Sequence, residues 1–214
     1  MFRDRNDAAE RLATRLQKYR ARPDALILAI PRGGISIGAV LARKLRLPLD
    51  IALAKKIGHP KNSERAIGAV SLKSDYADLG RLADEGVSSE YLEDEIARIR
   101  EELKHRYELY RGAAKAANLA DKTVILVDDG VATGATLLAA AALVKRENPA
   151  RLIVAVPVAT RKAATLLSAQ VDEVICLESP EKIETIGRCY RVFGRLSDEE
   201  AARLLVEANS KVGA

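Results

Sequence analysis

The sequence has few of the side chains that build metal centres, disulfide frameworks or base-stacking surfaces. Its 214 residues include two cysteines, two histidines and no tryptophan, and aromatic residues make up 4%. Cys176 and Cys189 form no C-x-x-C pair, which disfavours both a disulfide scaffold and a zinc site. The scarcity of aromatic rings disfavours nucleic acid as a partner, although the net charge is +5. The basic balance suits a small anionic ligand instead.

Long apolar segments are absent as well. No hydrophobic run reaches the ~18–20 residues that a membrane span needs. Residues 1–7 lack the apolar stretch of a secretory signal. With 48% hydrophobic and 30% charged residues, the composition is that of a globular chain large enough for one core. We therefore expect a cytoplasmic protein with no membrane partner.

Hydrophobic patterns alternate between strands and helices along the chain. Strands are predicted at 25–30, 49–54, 66–72, 123–127, 151–156 and 173–177, and helices at 7–19, 35–45, 88–111, 136–146, 161–169 and 198–208. This alternation predicts an α/β fold with a Rossmann-like parallel sheet and flanking helices. The polar, basic residues 55–65 predict a mobile loop within a β-ribbon. No repeat or linker interrupts the chain, which predicts a single domain over 1–214 with a core at about 25–177.

Two finer predictions concern burial. Cys176 falls in the strand at 173–177, which predicts an inert core thiol. The long helix at 88–111 carries an apolar stripe that we expect to face the core. The stripe consists of Tyr91, Ile96, Ile99, Leu103 and Leu109.

One run, from Val124 to Thr136, carries more chemical information than the rest of the chain. A buried strand is followed by two adjacent carboxylates, Asp128 and Asp129, then by a loop of small and hydroxyl residues and an alanine-rich helix. This order places two negative charges beside the N–H groups of a helix N-terminus, which bind anions. The carboxylates can hold the diol or metal-bound end of a ligand, and residues 131–136 its phosphate end. A ribose 5-phosphate has this polarity.

Three other interpretations of the run can be weighed from the sequence. An Asp-Asp-Gly after a strand is often a solvated turn, but that explanation does not cover all thirteen positions. No G-x-x-x-x-G-K-[ST] occurs, so the phosphate cradle of P-loop enzymes is missing. No G-x-G-x-x-G follows a strand, which disfavours a dinucleotide-binding fold.

The run resembles the 13-residue phosphoribosyl pyrophosphate (PRPP) signature of the type I phosphoribosyltransferases. The resemblance implies that Asp128 and Asp129 are catalytic and contact the ribose hydroxyls, directly or through magnesium-bound water. It also implies that Mg²⁺ is the cofactor and that the following loop wraps the 5-phosphate. The loop residues are Val131, Ala132, Thr133, Gly134, Ala135 and Thr136.

Two further stretches resemble the family's pyrophosphate site. Arg32, Gly33 and Gly34 stand between a strand and a helix, as in the family's pyrophosphate loop, which implies a non-proline cis peptide at Arg32–Gly33 or a neighbouring bond. Lys55 and Lys56 resemble a basic pair that ends the next strand. The resemblance implies that all five residues bind pyrophosphate, and that Arg32 and Lys56 stabilise it as a leaving group. For the lysines, an ordinary basic hairpin is the alternative.

The acceptor is the least determined part of the reaction. Family members that use 6-oxopurines carry an aspartate where this chain has Ala132, so we expect a different nitrogenous acceptor. The resemblance implies a small C-terminal hood at about 178–214, to which residues 1–24 could contribute. Tyr190 and Phe193 could stack on a flat acceptor, but for both rings we favour packing in the core.

The whole chain resembles a bacterial subgroup of phosphoribosyltransferases of unknown acceptor. The supporting stretches are 30–34, 55–58, 66–70 and 193–200. A homodimer is expected by analogy. Because some family members sense PRPP without turning it over, a non-catalytic regulatory protein is the alternative function. Arg32 and Lys56 retain leaving-group chemistry and no added DNA-binding domain is visible, so we favour the enzyme.

Overall fold

The computed structural model describes residues 1–73, 75–77, 82, 86–111 and 116–210. Its strands are β1 (Ala25–Ala29), β2 (Leu49–Ile51), β3 (Ala54–His59), β4 (Asn62–Ser71), β5 (Asp75–Ala77), β6 (Thr123–Val127), β7 (Arg151–Val158) and β8 (Glu173–Glu178). Its helices are α1 (Arg5–Arg15), α2 (Gly33–Leu45), α3 (Ser89–Arg111), α4 (Ala135–Lys145), α5 (Arg161–Ser168) and α6 (Asp198–Ser210). Short 3₁₀ helices lie at Gln17–Tyr19 and Ile186–Cys189.

A five-stranded parallel sheet forms the centre of the molecule, in the order β2-β1-β6-β7-β8. Every residue of β1 and β6 is buried, because these strands are apolar on both faces. Ile27 and Ile125 belong to the apolar cluster shared with α1, α2, α3 and α6. Leu26 and Leu126 belong to the cluster on the opposite face, shared with α4 and α5. The predicted α/β fold with helices flanking a parallel sheet is confirmed.

A second, antiparallel sheet contains β3, β4 and β5. The predicted ribbon is therefore present, but the prediction of a loop at 55–65 was wrong, since strands occupy most of this range. The turn between the strands consists of Pro60 and Lys61. Gly58, which the sequence suggested as part of a loop, lies within β3, where the register with β4 is irregular on either side of it. The hydroxyl of Tyr91 on α3 donates to the carbonyl of Gly58 at 2.9 Å, which ties the ribbon to this helix.

Several predicted boundaries and burials also need correction. The first helix ends at Arg15, four residues earlier than expected, and β2 ends at Ile51. Leu109 is 40% exposed, whereas Tyr110 is buried, because Tyr110 follows Leu103 by seven residues and so returns to the same helix face. Cys176 is only partly buried, since β8 is an edge strand. Among the described helices, none combines the length and the apolar character that a bilayer crossing requires.

Candidate functional site

The candidate site lies where β1 and β6 end side by side. The amide of Ile30 donates to the carbonyl of Val127 at 2.9 Å, which brings the segments that follow both strands together. In an open α/β sheet, ligands bind at this carboxyl edge. The Pro31–Arg32 peptide bond is cis, which is one of the bonds at which the sequence resemblance implied a non-proline cis peptide.

Glycine is required at the start of α2 by close contact with the acidic pair. A β-carbon on Gly34 would lie 2.6 Å from the carbonyl oxygen of Val127 and 3.1 Å from the α-carbon of Asp128. One on Gly33 would lie 1.9 Å from Oδ2 of Asp129. The Arg32–Gly34 turn and the acidic pair, predicted from separate motifs, are therefore in direct contact.

The two carboxylates are confined in a partly buried position. Oδ1 of Asp128 accepts a hydrogen bond from the amide of Asp129 at 2.8 Å. Burial, together with the neighbouring charge of Asp129, raises the pKa of Asp128 well above its usual value. Burial also raises the pKa of Asp129, although the positive charge of Arg5 opposes this rise. The pair is thus held where a hydroxyl-rich or cationic group would relieve its repulsion.

Arg5 is the direct partner of Asp129. Its Nε and Nη2 each lie 2.8 Å from Oδ2 of Asp129, and both side chains are mostly buried. The hydroxyl of Tyr190 donates to the backbone carbonyl of Asp129 at 2.5 Å. The acidic pair is therefore held by side chains from the N-terminal helix and from the predicted hood.

The two aromatic residues proposed as an acceptor platform have different positions. Tyr190 is 5% exposed and its ring centroid lies 5.5 Å from that of Phe2, so it packs in the core. Phe193 is 38% exposed, but the guanidinium carbon of Arg5 lies 3.8 Å from its ring centroid. Stacking of an acceptor on Tyr190 is excluded in this arrangement, and Arg5 covers one face of Phe193.

The loop at 131–136 surrounds a cavity of about 210 Å³, which Asp128 also lines. The loop is anchored at its start, because the amide of Val131 donates to Val158 and Oγ1 of Thr160 donates to the carbonyl of Ala132. Gly134, with φ of +85°, forms the N-cap of α4. The N-terminus of α4 therefore faces the cavity with the partial positive charge that favours a phosphate group.

The basic residues of the predicted pyrophosphate site are less closely grouped. Nε of Arg32 lies 3.9 Å from the carboxylate of Asp198 on α6, and half of the Arg32 side chain is exposed. Nζ of Lys55 lies 2.5 Å from Glu102 on α3, so this lysine is engaged away from the acidic pair. Lys56 is the next residue in β3 and points to the other face of the ribbon. The roles of both lysines in pyrophosphate binding remain predictions.

Comparisons with known proteins show the family of the chain. Residues 4–191 match the family model described as "Phosphoribosyl transferase domain". The chain belongs to this family. Two Mycobacterium tuberculosis relatives, from strains H37Rv and CDC 1551, are each named "Putative phosphoribosyl transferase" and are 31% identical to this chain over 214 residues. The match covers 98% of this chain and 47% of each relative, so the chain spans about half the length of these relatives.

A solved structure has the same fold. The crystal structure of TT1426 from Thermus thermophilus matches with a TM-score of 0.87 and 38% sequence identity. The match covers 96% of this chain and 98% of that chain. The resemblance to the type I phosphoribosyltransferases, first suggested by residues 124–136, is thereby confirmed at the level of family and fold.

The donor set of this family member is compatible with Mg²⁺ but does not enclose it. Mg²⁺ prefers oxygen ligands and is usually held by one or two carboxylates together with substrate phosphates. Asp128 and Asp129 supply such oxygens, but Oδ2 of Asp129 is already paired with Arg5. Among the described residues, no group of three or more His, Cys, Asp or Glu side chains forms a metal cage. A magnesium ion would therefore depend on oxygens from the ligand.

Sequence reasoning missed two residues that contact the predicted site. Arg5 is 124 positions away from Asp129 along the chain, and nothing in its local pattern indicated this pairing. Asp198 lies beside Arg32 and also accepts a hydrogen bond from Tyr110. Asp198 was noticed only as part of a stretch resembling the subgroup. Neither contact could have been identified without the tertiary structure.

Proposed function

We propose that the protein is a Mg²⁺-dependent phosphoribosyltransferase that transfers the 5-phosphoribosyl group from PRPP to a nitrogenous acceptor, a nucleobase other than a 6-oxopurine. The observation that carries the proposal is the juxtaposition of a confined acidic pair with a cavity at a helix N-terminus. The Asp128 carboxylate lines the same cavity as the loop at 131–136. One ligand can therefore contact both groups, with hydroxyls at one end and a phosphate at the other.

The proposed reaction exchanges one bond at C1 of the ribose. The C1–O bond to pyrophosphate breaks and the electron pair leaves with the pyrophosphate, while the lone pair of the acceptor nitrogen forms the new C1–N bond. The proton of the acceptor nitrogen passes to water. When bound, Mg²⁺ supplies positive charge to the departing pyrophosphate.

The chain's own residues have separate tasks in this proposal. Asp128 and Asp129 orient the ribose, and their negative charge favours a ring that becomes cationic as the leaving group departs. The amides of residues 131–136 hold the 5-phosphate. Arg32 lies next to the acidic pair in a turn that packs against it, and its half-exposed guanidinium can reach phosphate oxygens.

The proposal predicts a strong ligand-dependent rise in melting temperature. Mixing the protein with PRPP and Mg²⁺ at about 100 times the Kd stabilises the folded state by about 2.7 kcal/mol. Substituting both Asp128→Asn and Asp129→Asn should abolish most of this rise, because the ribose loses both ionised acceptors. Asp121→Asn is the matched control, since Asp121 is an exposed residue in the turn before β6.

Turnover is tested by incubating the protein with PRPP, Mg²⁺ and a panel of nucleobases while pyrophosphate is measured. Release that depends on both the base and the acidic pair supports the transferase. A PRPP-dependent melting shift without base-dependent release supports the non-catalytic sensor instead. An unchanged melting shift in the double variant would mean that PRPP binds elsewhere.

A further inference from the structure

Arg5 contacts the acidic pair and two residues of the predicted hood at the same time. Its Nε and Nη2 contact Oδ2 of Asp129, and its Nη1 donates to the carbonyl of Gly194 at 2.8 Å. The same guanidinium lies over the ring of Phe193. All three nitrogens and one face of the group are therefore used to join the N-terminal helix, the acidic pair and the hood residues Phe193 and Gly194.

Local structure fixes the backbone from which the Arg5 side chain extends. Arg5 is the first residue of α1, and Asp4 caps the helix by accepting from the amide of Asp7 at 2.8 Å. The amide of Val192 donates to the carbonyl of Arg3 at 2.9 Å, which attaches the start of α1 to the hood. Arg5 therefore projects from a backbone that is held on both sides.

The pairing with Asp129 is unlike the ion pairs elsewhere on α1. The Arg5 and Asp129 side chains are 15% and 13% exposed, whereas Arg11 in its pair with Asp7 is 53% exposed. A buried ion pair adds little net stability, because desolvation of both charges offsets their attraction. A fork geometry does fix the orientation of a carboxylate. The arrangement thus favours orientation of Asp129 over stabilisation of the fold.

We propose that Arg5 is a positioning residue for the ribose-binding carboxylate: it holds Asp129 by Oδ2, leaves Oδ1 for a sugar hydroxyl, and fixes Phe193 and Gly194 against the acidic pair. This inference rests on the proposed function, because it assigns the sugar to Asp129. It also assigns one face of Phe193 to the guanidinium, so an acceptor cannot stack on that face of the ring.

The test compares two probes that use different halves of the site. Ribose 5-phosphate requires the carboxylates and the loop at 131–136, whereas inorganic phosphate requires only the loop. Arg5→Gln should weaken ribose 5-phosphate binding by about tenfold, because Asp129 loses the charge-assisted contact that orients its free oxygen towards the sugar. The affinity for inorganic phosphate should change by less than about twofold. Inorganic phosphate requires only the loop, and a substitution at an independent site should not alter its binding. Both affinities are measured by calorimetry on the full chain.

Three additional variants separate positioning from folding. Arg11→Gln is the matched control, because it removes an arginine and an ion pair from the same helix outside the site, and both affinities should be retained. Arg5→Lys keeps the charge but loses the fork, so it should recover only part of the affinity for ribose 5-phosphate. Arg5→Gln combined with Asp129→Asn should bind no more weakly than Asp129→Asn alone, because Arg5 acts through Asp129.

A second readout needs no ligand. Hydrogen exchange of the amides at 186–195 should be faster in Arg5→Gln than in Arg11→Gln, because Gly194 loses its contact to the helix. The inference is overturned if wild type and Arg5→Gln bind ribose 5-phosphate equally, if both probes weaken together, or if the double variant is additive. Failure of the wild-type protein to bind ribose 5-phosphate would overturn the proposed function instead.

Discussion

The two halves of the candidate site are built in different ways. The phosphate half is one contiguous segment, residues 131–136, which runs from the end of β6 into α4 and surrounds an open cavity. The acidic half is assembled from four separate parts of the chain, which are the acidic pair itself, the adjacent Gly33 and Gly34, Arg5, and Tyr190. The first half is a local structure, and the second is a product of tertiary packing.

This difference has an energetic consequence. The phosphate half uses the unpaired amides of a helix N-terminus, which every helix possesses. In the acidic half, burial raises the pKa of both Asp128 and Asp129, and the charge of Asp129 raises the pKa of Asp128 further. We therefore expect substitutions that overfill the acidic half to destabilise the fold more than substitutions in the phosphate half, and removal of a charge from the acidic pair to stabilise it.

The largest effect is expected from Gly34→Ala. The new β-carbon would stand 2.6 Å from a backbone oxygen and 3.1 Å from a backbone carbon, so neither neighbour can rotate away. We expect the free energy of unfolding to fall by about 2–3 kcal/mol, as overpacking usually costs. Gly194→Ala is the control, because nothing lies within 4 Å of its β-carbon. Chemical denaturation measures both, and an equal loss would contradict the close packing of the acidic half.

A smaller effect is expected from Gly134→Ala in the phosphate half. Its β-carbon would have no contact closer than 3.5 Å, so the strain comes from φ of +85° and should cost about 1–2 kcal/mol of unfolding free energy. Gly86→Ala carries a similar strain, with φ of +69°, outside the cavity. Both variants should lose comparable stability, but only Gly134→Ala should bind inorganic phosphate more weakly. Equal phosphate affinities of the two variants would mean that Gly134 does not contribute to phosphate binding.

The smallest effect, and the one of opposite sign, is expected from Asp128→Asn. A raised pKa means that ionising Asp128 costs the folded state free energy, and this cost grows as the pH rises from the unfolded-state pKa to the folded-state pKa. Asparagine cannot ionise, so the variant should have a larger free energy of unfolding than the wild type at pH 7. The gain should be smaller at pH 4. Denaturation curves at the two pH values measure it, and a gain that does not change with pH would argue against a pKa raised by burial and by the charge of Asp129.

Most of the fold could be predicted from local patterns. The strands at 25–29 and 123–127 are buried on both faces, and the continuous apolar run in each of them predicts this burial. The ribbon was harder to predict from the sequence. Gly58 and Pro60 suggest a long loop, whereas the turn in the structure contains two residues. Leu109 was misassigned because a helical stripe drifts around a long helix, and Tyr110 occupies the buried face.

By itself, the sequence determined the order of strand, acidic pair, small-residue loop and helix at 123–145, and with it the fold class and the position of the candidate anion site. That information is local, since each piece depends on residues next to it in the chain. Only the tertiary structure decided that Arg5 pairs with Asp129 and that Tyr190 supports the same segment. Those contacts join residues 61 to 124 positions apart, and no periodicity or propensity encodes which distant side chain will meet a buried carboxylate.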